Sequence, residues 1–263
     1  MELKGRNAII TGAGGGIGSK IALAFAREGV NIALVDVRKE SINPIALECK
    51  ARGVKASIIA ADITKEDGLK DIVLRAEKEL GDIDILINNA GITVFKPIKS
   101  HTDKEVLTTI MLNVYAPIRL TQSVLSGMLR RGTGRVVNIG SMFGSLSFPY
   151  FGIYSASKYA IRGFSEALRR ELIGTGVGVT YIAPRATKTS QSKEFFEMAE
   201  RTGMNLDAPD KVASIVVDAV LKDRNEVYIG RPERFFAFLN KFIPSVIDKG
   251  LRKKIYVMAE YVK

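Results

Sequence analysis

Short apolar runs recur along the chain, and each is followed by a stretch in which apolar residues return every three or four positions. Residues 7–10, 31–35, 56–59 and 83–87 read as strands, as do 135–139, 178–182 and 226–229. The spacing between them predicts helices over 17–28, 40–52 and 66–80, with further helical stretches separating the later strands. Short strands with little polar alternation belong to a parallel sheet covered on both faces, because a solvated face would make every second position polar. Strand and helix in regular alternation predict an α/β fold, a doubly wound parallel sheet of the Rossmann type, as one domain over 1–230. Such a sheet takes its ligand at the carboxyl ends of its strands.

At the first of those ends stands Thr11-Gly12-Ala13-Gly14-Gly15-Gly16-Ile17-Gly18. Glycines allow a tight turn and let backbone N–H groups approach a pyrophosphate, and the helix that follows points its positive end at the same place. No Lys-Ser/Thr pair follows the last glycine, which excludes a P-loop. Asp36 ends the second strand, about 20 residues on, where an acid accepts hydrogen bonds from the adenosine ribose and repels a 2′-phosphate. This points to NAD; Arg38 and Lys39 close behind keep NADP open as the alternative.

Composition narrows the chemistry. The chain has a single histidine, His101, and a single cysteine, Cys49. They cannot assemble the usual zinc ligand sets, so no metal site is expected, and they leave serine-histidine or cysteine-histidine catalysis without good candidates. A lone cysteine forms no internal disulfide, no leader-like segment is seen at the N-terminus, and no apolar run reaches about 18 residues. A cytoplasmic protein is expected. Proton chemistry must then come from elsewhere, and Tyr154-Ser155-Ala156-Ser157-Lys158 supplies it. Residues four apart share a helix face. A free tyrosine titrates near about 10, and a neighbouring ammonium favours its phenolate. Ser141, just beyond the strand at 135–139, is placed to bond a substrate oxygen held by Tyr154.

Taken together, these motifs resemble those of the short-chain dehydrogenase/reductase family, over about residues 4–230. The family carries Thr-Gly-x-x-x-Gly-x-Gly, matched by Thr11 to Gly18, and Asn-Asn-Ala-Gly, matched by Asn88-Asn89-Ala90-Gly91. It also carries an active-site asparagine, matched by Asn113, a serine matched by Ser141, and Tyr-x-x-x-Lys, matched by Tyr154 and Lys158. Asp62-Ile63 resembles the pair that contacts adenine. The resemblance implies cofactor contacts at Gly12, Gly15, Gly16, Ile17, Gly18, Asp36, Asp62, Ile63, Asn89, Ala90, Gly91, Tyr154, Lys158, Pro184, Thr187 and Thr189. It implies hydride transfer between the cofactor and an alcohol or ketone, with Tyr154 as acid/base. Lys158 would lower the tyrosine pKa and hold the nicotinamide ribose, Ser141 would fix the substrate oxygen, and Asn113 would hold a water linking Lys158 to solvent. A homo-dimer or homo-tetramer, paired through the Tyr154 helix and the one before it, is also implied.

One position departs from the pattern. Arg185 follows Pro184 where the family has glycine, so it either reaches an anionic substrate group or turns to solvent. The substrate pocket is expected to be lined by Met142, Phe143, Phe148, Tyr150, Phe151, Phe195, Phe196 and Met198, an apolar set suited to a lipid-like or aromatic substrate. Two rivals share some of these features. An epimerase or dehydratase of the extended branch also uses Tyr-x-x-x-Lys, but usually with other glycine spacing and a longer substrate domain. A cofactor-binding sensor or scaffold would keep the fold without needing the tyrosine, lysine and serine, all of which are present.

The net charge of +11 adds one more feature. Residues 231–263 hold eight Lys/Arg and three Asp/Glu. No nucleic-acid-binding module accompanies the charge, so nucleic acid is not an expected partner. Phe235, Phe238, Leu239, Phe242 and Val246 recur at helical spacing, then Ile247, Leu251, Ile255 and Met258, with Pro244 between the two series. Residues 235–258 are therefore expected to form two amphipathic helices, a C-terminal extension beside the substrate entrance. Their basic face would give weak peripheral contact with an anionic membrane, or the helices would pack on the domain.

Overall fold

The computed structural model describes residues 1–189 and 193–262, except for the side chains of Lys70 and Arg231. Lys263 and the Arg231 side chain, both counted in the charge of the extension, thus lie outside the description. The order is β1 (Asn7–Thr11), α1 (Gly16–Arg27), β2 (Asn31–Asp36), α2 (Lys39–Ala51), β3 (Ala56–Ala60), α3 (Glu66–Leu80) and β4 (Ile85–Asn88). Then come α4 (Asp103–Ile110), α5 (Ala116–Arg131), β5 (Gly134–Ile139), α6 (Gly152–Glu171) and β6 (Val177–Ala183). The chain continues with α7 (Lys193–Arg201), α8 (Pro209–Leu221), β7 (Glu226–Tyr228), α9 (Arg231–Asn240) and α10 (Pro244–Ala259). The seven strands form one parallel sheet in the order β3-β2-β1-β4-β5-β6-β7.

Both sheet faces are covered, as the unalternated strands required. Successive β1 residues point to opposite sides. Ile10 packs with Phe25 of α1, Ile42 of α2 and Val216 of α8, whereas Ile9 packs with Ile72 of α3 and Leu120 of α5. β1 is flanked by β2 on one side and β4 on the other, so the strand order reverses there and a crevice opens at their carboxyl ends. β4 starts two residues later than its apolar pattern predicted. Asp84, just before it, turns its carboxylate to the Asn7 amide (3.0 Å) and the Arg6 guanidinium (2.9 Å).

The extension forms two helices, α9 and α10, as expected, and Pro244 opens the second, where its missing N–H costs nothing. α9 begins four residues earlier than predicted, at Arg231. Ala237, Ile247 and Met258 anchor the pair in the domain, and Arg201 of α7 grips Glu260 beyond α10 (2.6 and 3.1 Å). Arg185 does not turn to solvent: it borders the cavity that holds Tyr154, and its guanidinium is engaged by two carboxylates of the protein itself. It makes a two-pronged bond to Asp207 (Nε 2.8 Å, Nη2 3.1 Å) and a second to Glu233 of α9 (Nη1 3.1 and 3.3 Å). Lys211 adds a third partner for Asp207 at 2.7 Å. The arginine is thus the clasp that ties the loop after β6 to the extension.

Asp207 is 3% exposed. Burial by itself would raise its carboxyl, but the hydrogen bonds from Arg185 and Lys211 hold it below the usual carboxylate range. A carboxyl lowered in this way stabilises the fold above its unfolded value, near about 4, and the gain is lost as pH falls through the folded value. Asp207→Ala leaves the Arg185 guanidinium short of its buried acceptor and is expected to cost about 3 kcal/mol at neutral pH. Denaturant melts check this: the gap between wild type and variant should close as pH drops below about 4.

Candidate active site

The glycine turn is built by close approach. Gly12 has φ +62°, and a Cβ there would lie 2.9 Å from the Ala90 Cα. Thr11 Oγ1 accepts from the amides of Asn89 (3.0 Å) and Ala90 (3.1 Å), and the Asn89 side chain donates to the carbonyls of Thr11 (2.9 Å) and Gly12 (3.2 Å). The ends of β1 and β4 are thereby stitched together. α1 has no side-chain cap and no acid in its first turn. Its uncapped amides open onto a cavity of about 630 Å³ lined by Gly12, Gly15, Gly16, Ile17 and Gly18. An uncapped helix start in a glycine cradle fits a pyrophosphate.

The rest of this cavity is lined by Asp36, Asp62, Ile63, Asn89, Ala90, Gly91 and Thr189, so these expected contacts converge on it. Each Asp36 oxygen accepts one backbone N–H, Oδ2 from Gly14 (3.0 Å) and Oδ1 from Arg38 (3.2 Å), which fixes the carboxylate and leaves a lone pair on each oxygen. Asp62 Oδ1 accepts from the Thr64 hydroxyl (2.7 Å) and amide (3.0 Å), and the hydroxyl bond holds its carboxyl below the usual range. Pro184 and Thr187 belong to the neighbouring cavity, which Thr189 shares.

That second cavity, about 440 Å³, contains Ser141, Tyr154 and Lys158. Lys158 is buried on α6, donates to the Ile139 carbonyl at the end of β5 (3.0 Å), and lies 5.6 Å from the centroid of the Tyr154 ring. The helical spacing thus delivers the pair to one place. Ser141 Oγ accepts from the Phe143 amide (3.1 Å), which leaves its proton free to donate outward. Asn113 sits on a wider, π-type turn, Met111–Tyr115, that joins α4 to α5. Its side chain makes three bonds within the protein. Oδ1 accepts from the Ile92 amide (2.9 Å), and Nδ2 donates to the Ile92 carbonyl (2.9 Å) and to Ser157 Oγ (3.0 Å). All three bonds fasten the loop after β4 to α6.

Of the residues expected to line this cavity, Met142, Phe143, Phe148, Phe151 and Phe195 do, but Tyr150, Phe196 and Met198 do not. Met198 is fully buried against Phe151 and Met258, because α7 turns that side inward. The wall instead gains Phe95 and Met204, and from the extension Phe236, Lys254 and Met258. Local spacing gave no sign of Phe95 and Met204, which arrive from distant segments, while the extension had been expected beside this entrance.

Tyr181 of β6 is a positioning residue missed by motif reading. Its hydroxyl donates to the Ser141 carbonyl (3.1 Å) and faces the Ser141 amide (3.4 Å). Burial pushes this hydroxyl up, so it stays a donor. A Cβ at Gly140 would stand 2.2 Å from the ring, which explains a glycine just before the serine. The available signal was a lone tyrosine in a strand of otherwise smaller residues.

A crevice at the switch point of a doubly wound sheet, with a tyrosine and a buried lysine at its inner end, defines the site of a Rossmann-type dehydrogenase. The model of the short chain dehydrogenase family matches residues 6–200, and the chain belongs to that family. It is 32% identical over 230 residues to the ketoacyl reductase HetN of Nostoc sp., covering 87% of this chain and 80% of that protein. It is 28% identical over 264 residues to human estradiol 17-beta-dehydrogenase 11, covering 99% and 87%. A solved short-chain type dehydrogenase/reductase from Mycobacterium marinum shares the fold with TM-score 0.80, over 87% of this chain and 95% of that one, at 24% identity. The protein is therefore an oxidoreductase of a family that uses NAD(P) and acts on CH–OH groups.

Tyr181→Phe is expected to lower kcat about tenfold, corresponding to about 1.4 kcal/mol of lost positioning of Ser141. Steady-state kinetics beside a thermal melt check this: kcat should fall with KM and Tm nearly unchanged.

Proposed function

We propose that this protein is an NAD-dependent dehydrogenase/reductase that interconverts an apolar, lipid-like alcohol and its ketone, with Tyr154 as the acid/base. The observation that carries the reading is the junction of the two cavities. Ile17, Asn89, Gly91 and Thr189 line both, so a dinucleotide bound along the glycine turn reaches the compartment of Ser141, Tyr154 and Lys158. When bound, the cofactor supplies the hydride chemistry. Gly12 and Gly15 to Gly18 would hold its pyrophosphate, Asp36 the adenosine ribose, Asp62 and Ile63 the adenine, and Pro184, Thr187 and Thr189 the carboxamide end.

The chain's own groups supply the proton path. Tyr154 takes the hydroxyl proton in oxidation and returns it in reduction. Lys158, held in place by the Ile139 carbonyl, keeps two further N–H donors for cofactor hydroxyls and puts positive charge beside the Tyr154 ring. Ser141 donates to the substrate oxygen, and the aromatic wall excludes water. Phe143 packs edge-on against Tyr154, with ring centroids 6.0 Å apart, and fixes its approach.

Asp36 supports NAD, since a fixed carboxylate both accepts ribose hydroxyls and repels a phosphate. A second reading, an NADP-dependent ketoreductase, draws on Arg38 in the wall of the same cavity. Resemblance supports a dimer or tetramer paired through α5 and α6, where Leu129 and Tyr159 stay exposed. Among the described residues no helix is long and apolar enough to cross a membrane, and Cys49 is free and buried. A fold that draws nothing from disulfides suits the cytoplasm.

Tyr154→Phe should abolish turnover while cofactor affinity, read by reduced-nicotinamide fluorescence, stays nearly intact; Lys158→Ala should damage both. Substantial activity in purified Tyr154→Phe would overturn the assignment. Asp36→Ala should weaken NAD and narrow its lead over NADP in parallel titrations. Tighter wild-type binding of NADP would show that Arg38 outweighs Asp36.

A further inference from the structure

The extension leaves an apolar face without cover. Phe235, Phe238 and Phe242 follow one another at helical spacing and are 60%, 59% and 68% exposed. The rings of Phe238 and Phe242 lie 5.1 Å apart, so they form one surface. Ile243 and Val246 are also exposed and continue the apolar run into α10, while Ala237 and Ile247 carry the buried side of the two helices. Scattered exposed apolar residues are ordinary, but a run of aromatic ones on adjoining turns marks a contact surface. Arg234, Lys241, Lys249, Arg252 and Lys253 are all exposed on the same two helices or the turn between them, and among the described residues no carboxylate pairs with them.

We propose that this face docks on an anionic lipid bilayer, with Phe235, Phe238 and Phe242 entering the headgroup boundary and the basic side chains resting on lipid charge. Aromatic residues beside unpaired cations are the composition of helices that lie in the interface plane. The charge also selects against a second copy of the chain. Two-fold pairing would set one basic helix pair against another, and like charges brought together repel. The same two helices contribute Phe236, Lys254 and Met258 to the wall of the substrate cavity. The docked face therefore adjoins the cavity entrance, and a substrate dissolved in the membrane would reach Tyr154 without crossing water. This last point rests on the proposed apolar substrate; the docking does not.

Co-sedimentation of the full chain with vesicles tests it. Binding is expected to phosphatidylcholine mixed with phosphatidylserine at low salt, and to be at least about tenfold weaker on pure phosphatidylcholine or at high salt. The triple variant F235S/F238S/F242S should lose binding while keeping its melting temperature and its affinity for reduced nicotinamide. K249Q/R252Q/K253Q should bind more weakly and with a flatter salt dependence. Wild-type indifference to phosphatidylserine at low salt would overturn the proposal, as would full binding by the phenylalanine variant. So would sedimentation velocity showing a lipid-free wild-type oligomer that the phenylalanine variant dissolves into monomers, because a second copy then covers the face. An absence of turnover with every alcohol and ketone would instead count against the enzymatic reading and leave the vesicle result standing.

Discussion

The Lys158 ammonium lies buried at the carboxyl end of β5 with no carboxylate within ion-pair distance among the described residues. A buried charge is costly unless its donors are met. Ile139 meets one of them, and Lys158 lines the cavity that also holds Ser141 and Tyr154. Much of the surrounding structure serves to hold that charge there. Asn113 fastens the loop after β4 to Ser157, the residue before the lysine, and the absence of a side chain at Gly91 suits its close approach to that asparagine, since a Cβ there would lie 3.1 Å from Asn113 Oδ1. On the proposed reading cofactor hydroxyls would meet its remaining donors, and one residue would then serve both binding and proton transfer.

Around that point the site is assembled from strand ends that are far apart in sequence. Tyr181 of β6 holds the main chain of Ser141 after β5, and the Met142 amide donates to the Pro184 carbonyl after β6 (2.9 Å). The loop that carries the serine and the loop that borders the cavity junction are therefore tied to each other. Arg185 carries this tie outward through Asp207 and Glu233 to α9. The residue that breaks the family's usual Pro-Gly thus accounts for how the extension is joined to the site. A glycine could not reach two carboxylates, whereas a guanidinium with its planar fork binds one two-pronged and a second at its far edge.

The extension has two faces with different roles. Its inner side completes the substrate wall, and its outer side keeps aromatic rings and unpaired cations in water. Evolution of a merely structural lid would not need that outer composition, since polar residues cover an exposed helix at lower risk of aggregation.

Much of this was legible in the chain order alone. The strand and helix pattern, the glycine turn, Asp36, Tyr154 and Lys158 depend on periodicity and short spacing, which local backbone geometry enforces, so the doubly wound sheet and the location of the cofactor end followed from them. Pro244 likewise marked the break between the last two helices. Tertiary structure alone decided the partners of long side chains. Arg185 was open between substrate and solvent because neither Asp207, 22 residues on, nor Glu233, 48 residues on, is near it in sequence. The side-chain partners of Asn113, Ile92 and Ser157, were hidden for the same reason, and Met198 went into the core because the turn of α7 is set by packing on α10. Periodicity tells which side of an element is apolar, but only the packed chain determines what that side meets. The phenylalanines of α9 are the sharpest case: their spacing announced an apolar face, and only the fold left it outward.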